Sequence, residues 1–184
     1  MGNVVVHGHT FKVKITAAEI QKAVADTARQ INADLKGKKP LFLAVLNGSF
    51  MFASDLMKKV NIECEISFMK VASYEGTSST GEIKQLIGIS EEIKGRTIVV
   101  IEDIVDTGTT IENIWKLLKD QGAAEVKIAT LLFKPEAYTK SVPIEYAAIV
   151  VPNDFLLGYG LDYNGLGRNL ADIYVLDYAS DEKK

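Results

Sequence analysis

No stretch of the chain is apolar for anything close to the ~18 residues a membrane-spanning helix requires, and the first residues include polar side chains at Asn3, His7, His9 and Lys12. Neither a membrane anchor nor a secretory leader is expected, and the cytoplasm is the expected location. Cysteine is nearly absent: Cys64 stands alone among 184 residues, which excludes an intrachain disulfide and a cysteine-rich metal cluster. Positive charge is not in excess either. Lys and Arg total 21 against 24 Asp and Glu, a net charge of −3, without the sustained basic face that a nucleic-acid backbone attracts, so no nucleic-acid partner is expected. Internal repeats, low-complexity tracts and long linkers are missing, and the closing Ser180-Asp181-Glu182-Lys183-Lys184 reads as a solvated tail.

What is present suits one compact domain over residues 1–184, with 47% hydrophobic residues to build its core. Thr16-Ala17-Ala18-Glu19 is a capping box that starts a helix with the apolar stripe Ile20, Val24, Ala28, Ile31 and Leu35, ended by Gly37 and Pro40. The wholly apolar Leu41-Phe42-Leu43-Ala44-Val45-Leu46 reads as a central strand covered on both faces. Asn47-Gly48-Ser49 breaks it, and a helix with Phe50, Phe52, Leu56 and Met57 follows. Alternation around Cys64 predicts a strand whose Ile62, Cys64, Ile66 and Phe68 point into the core, leaving Cys64 inert. Strands are also expected over residues 97–101, 126–133 and 146–151, with a helix carrying Ile111, Ile114, Trp115 and Leu118 between the first two and Gly122 at its end. Trp115 reads as core rather than as a ligand platform. Strands alternating with helices make an α/β fold, a mostly parallel twisted sheet flanked by helices, with ligands beyond the strands' carboxyl ends.

The segment Ile98-Val99-Val100-Ile101-Glu102-Asp103-Ile104-Val105-Asp106-Thr107-Gly108-Thr109-Thr110 concentrates the chemistry. Two adjacent carboxylates end a strand, and a short loop of small and hydroxyl residues opens a helix. The first helical turn offers unpaired amides and the positive end of the helix dipole; Thr107, Thr109 and Thr110 add hydroxyls, and Gly108 permits close backbone approach, so the loop is a phosphate cradle. Glu102 and Asp103 beside it suit a vicinal diol or a hydrated magnesium ion. Taken alone, the pattern also fits a receiver-type phosphorylation site or a simple helix cap. It is not a Walker A loop, because Thr109 and Thr110 stand where a lysine would follow the glycine.

The thirteen residues 98–110 resemble the phosphoribosyl-pyrophosphate signature of type I phosphoribosyltransferases: four apolar residues, two acidic, two apolar, then Asp-Thr-Gly and two small or hydroxyl residues. From about Ala44 to Leu176 the chain resembles, in motif order, the hypoxanthine-guanine phosphoribosyltransferases. That resemblance implies the type I fold with a small hood built from N-terminal residues and the region after about residue 152. Leu46-Asn47-Gly48-Ser49 resembles the family's pyrophosphate loop, in which a cis peptide, here Leu46-Asn47, turns backbone amides toward the leaving group. Many members carry Lys where Asn47 stands. Ser73-Tyr74 resembles the start of the flexible loop that closes over the reacting centre and excludes water.

The same resemblance puts Lys134 on the purine 6-oxo group, Phe155 on the ring face, the Leu156 backbone on the base edge, Asp162 near a second magnesium, and Arg168 on pyrophosphate. Glu102 and Asp103 would orient the ribose hydroxyls directly or through magnesium, and Asp106 would take the N7 proton as N9 attacks C1. Phosphoribosyl pyrophosphate and a purine base are thus the implied partners, Mg2+ the implied cofactor, and a homodimer or homotetramer the implied assembly. Two other readings remain open: a phosphoribosyltransferase for another base, and a regulatory protein that senses phosphoribosyl pyrophosphate.

Overall fold

A computed structural model describes residues 2–73 and 83–177. Its larger sheet has six strands in the order β5-β4-β3-β6-β7-β8, built from β3 (Leu41–Leu46), β4 (Glu65–Ser73), β5 (Ile83–Ile87), β6 (Thr97–Val105), β7 (Glu125–Phe133) and β8 (Tyr146–Val150). All pairs are parallel except β4 with the edge strand β5. Three helices cover it: α1 (Ala17–Asp34), α2 (Phe50–Met57) and α3 (Thr109–Asp120).

Strict alternation along the central strands divides the core in two. Phe42, Ala44, Val99, Ile101, Ala129 and Leu131 face α1 and α2, whereas Leu41, Leu43, Ile98, Val100 and Ile128 face α3. The capping box forms as read. Thr16 Oγ1 accepts from the Glu19 amide at 3.3 Å, and Glu19 Oε2 accepts from the Thr16 amide at 2.8 Å. Ile20, Val24, Ala28, Ile31 and Leu35 are all buried, each larger one contributing ~1.5–3 kcal/mol of apolar transfer free energy. Trp115 is half-buried against the α3 side of the core.

Two expectations need correction. Ile66 and Phe68 are exposed, at 39% and 42%, while Met69 is the buried residue of that stretch. Alternation fixed which residues share a face but not what covers that face: the helix beside it, α2, is only eight residues long, and Ile66 and Phe68 line an open apolar cleft with Phe50 and Met57. Cys64 itself is half-buried against the core, and burial raises its thiol pKa. The second correction concerns β6, which runs on to Val105, so Glu102 and Asp103 lie within the strand rather than at its carboxyl end.

A second, antiparallel sheet of four strands has the order β1-β2-β10-β9. Its strands are β1 (Val4–Val6), β2 (His9–Ile15), β9 (Leu156–Leu157) and β10 (Ile173–Leu176). They come from the two ends of the chain. Ile15, Leu156 and Ile173 pack into the α1–α2 side of the main core, whereas Phe11, Leu157 and Tyr174 form a small cluster of their own.

Candidate active site

The order of the large sheet places a topological switch between β3 and β6, because the chain runs outward from β3 to β4 and β5 and then returns to β3's other side. Crevices form at such points beyond the strands' carboxyl ends. Here the β3–β6 ladder stops at Ala44↔Ile101, while β3 continues with β4 to Leu46↔Lys70. The two strands part where the carboxylates begin. Val45, Leu46, Gly48, Val71, Glu102, Asp103 and Thr110 line the resulting hollow of about 170 Å3.

Gly48 lets the loop after β3 lie directly against the Asp103 carboxylate: a Cβ there would sit 1.5 Å from Asp103 Oδ2 in its present rotamer, so a side chain at this position would have to displace that carboxylate. The Leu46-Asn47 peptide just before it is cis, the configuration the family resemblance implies. Asn47 is exposed, and Ser49 is buried with its hydroxyl donating to the Val45 carbonyl at 2.6 Å. Glu102 is 7% exposed; burial, and secondarily the neighbouring Asp103 charge, hold its carboxyl well above the usual range. Burial likewise pushes Asp103 up to about 6, against the pull of the Ile104 amide and the Arg168 charge. A buried Glu102 beside a half-buried Asp103, without a full counter-charge, is a site prepared for cationic or hydroxyl partners.

From Asp106 the chain enters the loop read from the sequence as a phosphate cradle. Ile104, Asp106, Thr107, Thr109, Thr110 and Ile111 help line a hollow of about 100 Å3 at the start of α3. Gly108 is the residue before that helix, with φ +85°. Its lack of a side chain also makes room for Tyr138, whose ring would lie 2.3 Å from an added Cβ. The glycine is thus explained by its own backbone angle and by Tyr138. Thr139 braces the loop from outside, donating through both its amide and its hydroxyl to the Thr107 carbonyl at 3.3 Å.

Lys134 follows β7 and is 7% exposed, yet its ammonium group donates to Asp106 Oδ2 at 2.9 Å and to Asn153 Oδ1 at 3.2 Å. A buried cation needs such partners. The pair brings the end of β7 to the phosphate loop. Phe155 is 45% exposed, and its ring packs edge-on against Tyr163 with centroids 5.3 Å apart. Leu156 is buried in β9, the outermost strand of the small sheet. Arg168 donates to Asp162 Oδ1 and to the Gly160 carbonyl, each at 2.6 Å, and Asp162 Oδ2 also accepts from the Gly165 amide at 2.7 Å.

Most of the residues read from the sequence therefore fall into two adjoining groups. Leu46, Gly48, Glu102, Asp103 and Thr110 share the first hollow; Glu102, Asp106, Thr107, Gly108, Thr109 and Thr110 share the second. Lys134 joins the second group through Asp106, and Arg168 acts on Asp103 by its charge. Asp162 likewise acts on Asp103 by its charge, which raises the Asp103 pKa, but among the described residues no three acidic, histidine or cysteine side chains form a metal-holding set. Magnesium does not require one, since it is commonly held by one or two carboxylates together with substrate oxygens and water. The Glu102–Asp103 pair, buried at Glu102 and half-open at Asp103, fits that manner of binding. Ser73 ends β4, and Tyr74 lies outside the described residues. Sequence reading missed Asn153, Tyr138 and Thr139; each reaches the site from a loop with no local pattern to mark it.

The sequence profile described as "Phosphoribosyl transferase domain" matches residues 15–164. Hypoxanthine-guanine phosphoribosyltransferase of Streptococcus pneumoniae (strain R6) is 41% identical over 166 residues, 90% of this chain and 92% of the relative. Identity to the bifunctional protein TilS/HprT of Listeria innocua is 39% over 176 residues, spanning 95% of this chain but 27% of that protein. Among solved structures, a hypoxanthine phosphoribosyltransferase from Staphylococcus aureus matches with a TM-score of 0.86 at 36% identity, covering 92% of each chain. The Trypanosoma cruzi hypoxanthine phosphoribosyl transferase gives 0.86 at 31% identity, over 98% of this chain and 100% of that one. With likeness of this extent in both sequence and backbone, the chain belongs to the hypoxanthine-guanine phosphoribosyltransferase family.

Proposed function

We propose that the protein transfers the 5-phosphoribosyl group of phosphoribosyl pyrophosphate to N9 of hypoxanthine or guanine, giving the nucleoside monophosphate and pyrophosphate for purine salvage. The observation that carries the base assignment is the 2.9 Å pair of Lys134 and Asp106. A 6-oxopurine presents its O6 and N7 as neighbours on one edge. A donor and an acceptor side by side match an oxo group beside a protonated N7. Adenine would set its amino group against the Lys134 ammonium, donor against donor.

In this reading the Thr107 to Thr110 loop holds the 5′-phosphate, and Glu102 and Asp103 orient the ribose hydroxyls. The Leu46-Asn47-Gly48 loop and Arg168 hold pyrophosphate. As the C1–oxygen bond to pyrophosphate breaks, N9 forms its bond to C1 and the proton on N7 passes to Asp106. Phe155 stacks on the base, the Leu156 backbone reads its far edge, and Lys134 holds O6. Glu102 and Asp103 are the residues that would hold Mg2+, with Asp162 serving a second ion. Bound there, the metal supplies charge neutralisation to the pyrophosphate and ribose oxygens. The four-stranded sheet is the hood over the base, and the loop beginning at Ser73 and Tyr74 closes over the reacting centre. Family likeness supports a homodimer or homotetramer working in the cytoplasm.

The test is nucleotide formation from phosphoribosyl pyrophosphate with magnesium and each of hypoxanthine, guanine, xanthine and adenine. Product with hypoxanthine or guanine and little with adenine is expected. Asp106→Asn should lower turnover by roughly 10²- to 10⁴-fold with calorimetric affinity for phosphoribosyl pyrophosphate changed far less. Product with adenine alone would reverse the base assignment. No product with any base, alongside tight binding of phosphoribosyl pyrophosphate, would favour a regulatory protein.

A further inference from the structure

Between β9 and Leu161 the chain passes through Gly158-Tyr159-Gly160, with φ of +103°, +47° and +102°. Glycine accepts such angles freely; a bulky aromatic does not. Tyr159 is nevertheless 3% exposed, so something specific must hold it there. Its hydroxyl donates to Asp55 Oδ2 at 2.7 Å, and Gln21 of α1 donates to the same oxygen. Lys58 donates to the other oxygen at 2.9 Å. Burial opposes ionisation of Asp55, but these hydrogen bonds and the Lys58 charge outweigh it and lower its pKa. Asp55 is thus a fixed, charged acceptor for the tyrosine.

Asp55 lies on α2, the helix that starts directly after the cis-peptide loop. The residue after Tyr159 reaches that loop as well: a Cβ on Gly160 would sit 2.0 Å from the Gly48 carbonyl oxygen. The Gly160 carbonyl then accepts from Arg168 at 2.6 Å. Two groups assigned to pyrophosphate, the Gly48 backbone and the Arg168 guanidinium, are therefore spaced by the single residue Gly160. Gly160 is in turn set by its neighbour's bond to the helix that carries the loop. Neither Tyr159 nor Asp55 lines the carboxylate or phosphate-loop hollows.

Resting on the function proposed above, we infer that Tyr159 and Asp55 are positioning residues for phosphoribosyl pyrophosphate, acting through Gly160 to fix the Gly48 loop against Arg168. The base-binding residues Phe155 and Leu156 depend less on this contact, because they precede Gly158: Leu156 is held by the β9–β10 ladder, and the Phe155 ring packs against Phe11 and Tyr163. The inference thus requires a split between the two substrates that a merely structural tyrosine would not produce.

The experiment compares Tyr159→Phe, Asp55→Asn, Asp55→Ala and the double variant Tyr159→Phe/Asp55→Ala by steady-state kinetics, calorimetry with phosphoribosyl pyrophosphate alone, and thermal unfolding. Tyr159→Phe should raise KM and Kd for phosphoribosyl pyrophosphate about tenfold, with KM for the base within about twofold. Asp55→Asn keeps an accepting oxygen and should stay within about threefold of wild type. The double variant should be no worse than Asp55→Ala, as expected of two residues sharing one contact. A lower melting temperature with unchanged KM and Kd for phosphoribosyl pyrophosphate overturns the inference, as do equal rises for both substrates or additive losses in the double variant. Wild-type turnover beside an unaffected Tyr159→Phe variant sinks this inference alone. A wild type that binds no phosphoribosyl pyrophosphate sinks the proposed function and the inference together.

Discussion

Replacing Asp103 by Asn should make the ligand-free protein more stable at neutral pH while weakening its hold on phosphoribosyl pyrophosphate. Burial lifts the Asp103 carboxyl from an ordinary 3.8 to about 6, and each pKa unit corresponds to ~1.4 kcal/mol. The folded state therefore carries a cost of up to ~3 kcal/mol at pH 7 for keeping this group ionised. That figure is a ceiling, because Asp103 retains partial contact with solvent. Below about pH 4 the group is protonated in folded and unfolded chains alike and the cost vanishes. Between about pH 4 and 6 the folded chain binds more protons than the unfolded one, so this contribution to stability falls as pH rises. Above about pH 6 the full cost remains.

Asparagine keeps an oxygen for the Ile104 amide, which Asp103 Oδ1 accepts at 2.9 Å, and removes the charge. It also relieves Glu102, whose elevated pKa owes its second cause to the Asp103 charge. At ~2–4 °C per kcal/mol for a chain of this size, Asp103→Asn should raise the melting temperature by roughly 5–10 °C at pH 7.5. The gain should shrink towards nothing near pH 4. Differential scanning calorimetry across that range checks it, with calorimetric titration of phosphoribosyl pyrophosphate run in parallel. A variant no more stable than wild type at pH 7.5, or a gain independent of pH, would refute the account of a strained, buried charge. In the wild type, affinity for phosphoribosyl pyrophosphate should fall as pH drops through about 6, as the carboxyl gains its proton.

Lys134→Ala removes the cation from a charged hydrogen bond, so kcat/KM for hypoxanthine should fall by ten- to a hundredfold, the ~1.5–3 kcal/mol of such a bond. Activity with adenine should fall less or not at all, and an unchanged ratio between the two bases would argue against contact with O6. Thr16→Ala removes the hydroxyl that accepts from the Glu19 amide, leaving only the backbone half of the capping box at α1, and should cost about 1 kcal/mol of stability, read as a drop of a few degrees in melting temperature. Its KM values should match wild type, and an unaltered melting temperature would mean that the cap is not stabilising.

The parts of the fold legible in the sequence were those written in local chemistry. Thr16 and Glu19 announce a helix start at three-residue spacing, and the apolar run 41–46 announces a strand covered on both faces. The run 98–110 carries its function in one continuous piece, because the strand, the phosphate loop and the helix start are consecutive. Contacts between distant segments left no such mark. Thr10-Phe11-Lys12-Val13-Lys14-Ile15 alternates strictly, yet nothing local pairs it with residues 173–176. Ile66 and Phe68 show the same limit, since alternation specifies a shared face and cannot say whether a helix is long enough to cover it. Asn153 is a plain polar residue in a loop until the fold carries it to the Lys134 ammonium.

The deepest part of the site is equally illegible residue by residue, for a physical reason. The Asp103 carboxylate lies against Gly48, and the Gly48 carbonyl oxygen lies 2.0 Å from where a Cβ on Gly160 would sit. Three segments from separate parts of the chain thus converge, and the end of the site proposed for pyrophosphate combines peptide groups, the Asp103 carboxylate and Arg168. Asn47 stands where many relatives carry a lysine, and here its side chain is exposed. Under the proposed function, pyrophosphate binding rests on the backbone of the Leu46-Asn47-Gly48 loop and on Arg168. Arg168 is held in place by Asp162 and the Gly160 carbonyl, so substitution at Asn47 should be tolerated and substitution at Gly160, whose Cβ would meet the Gly48 carbonyl oxygen, should not.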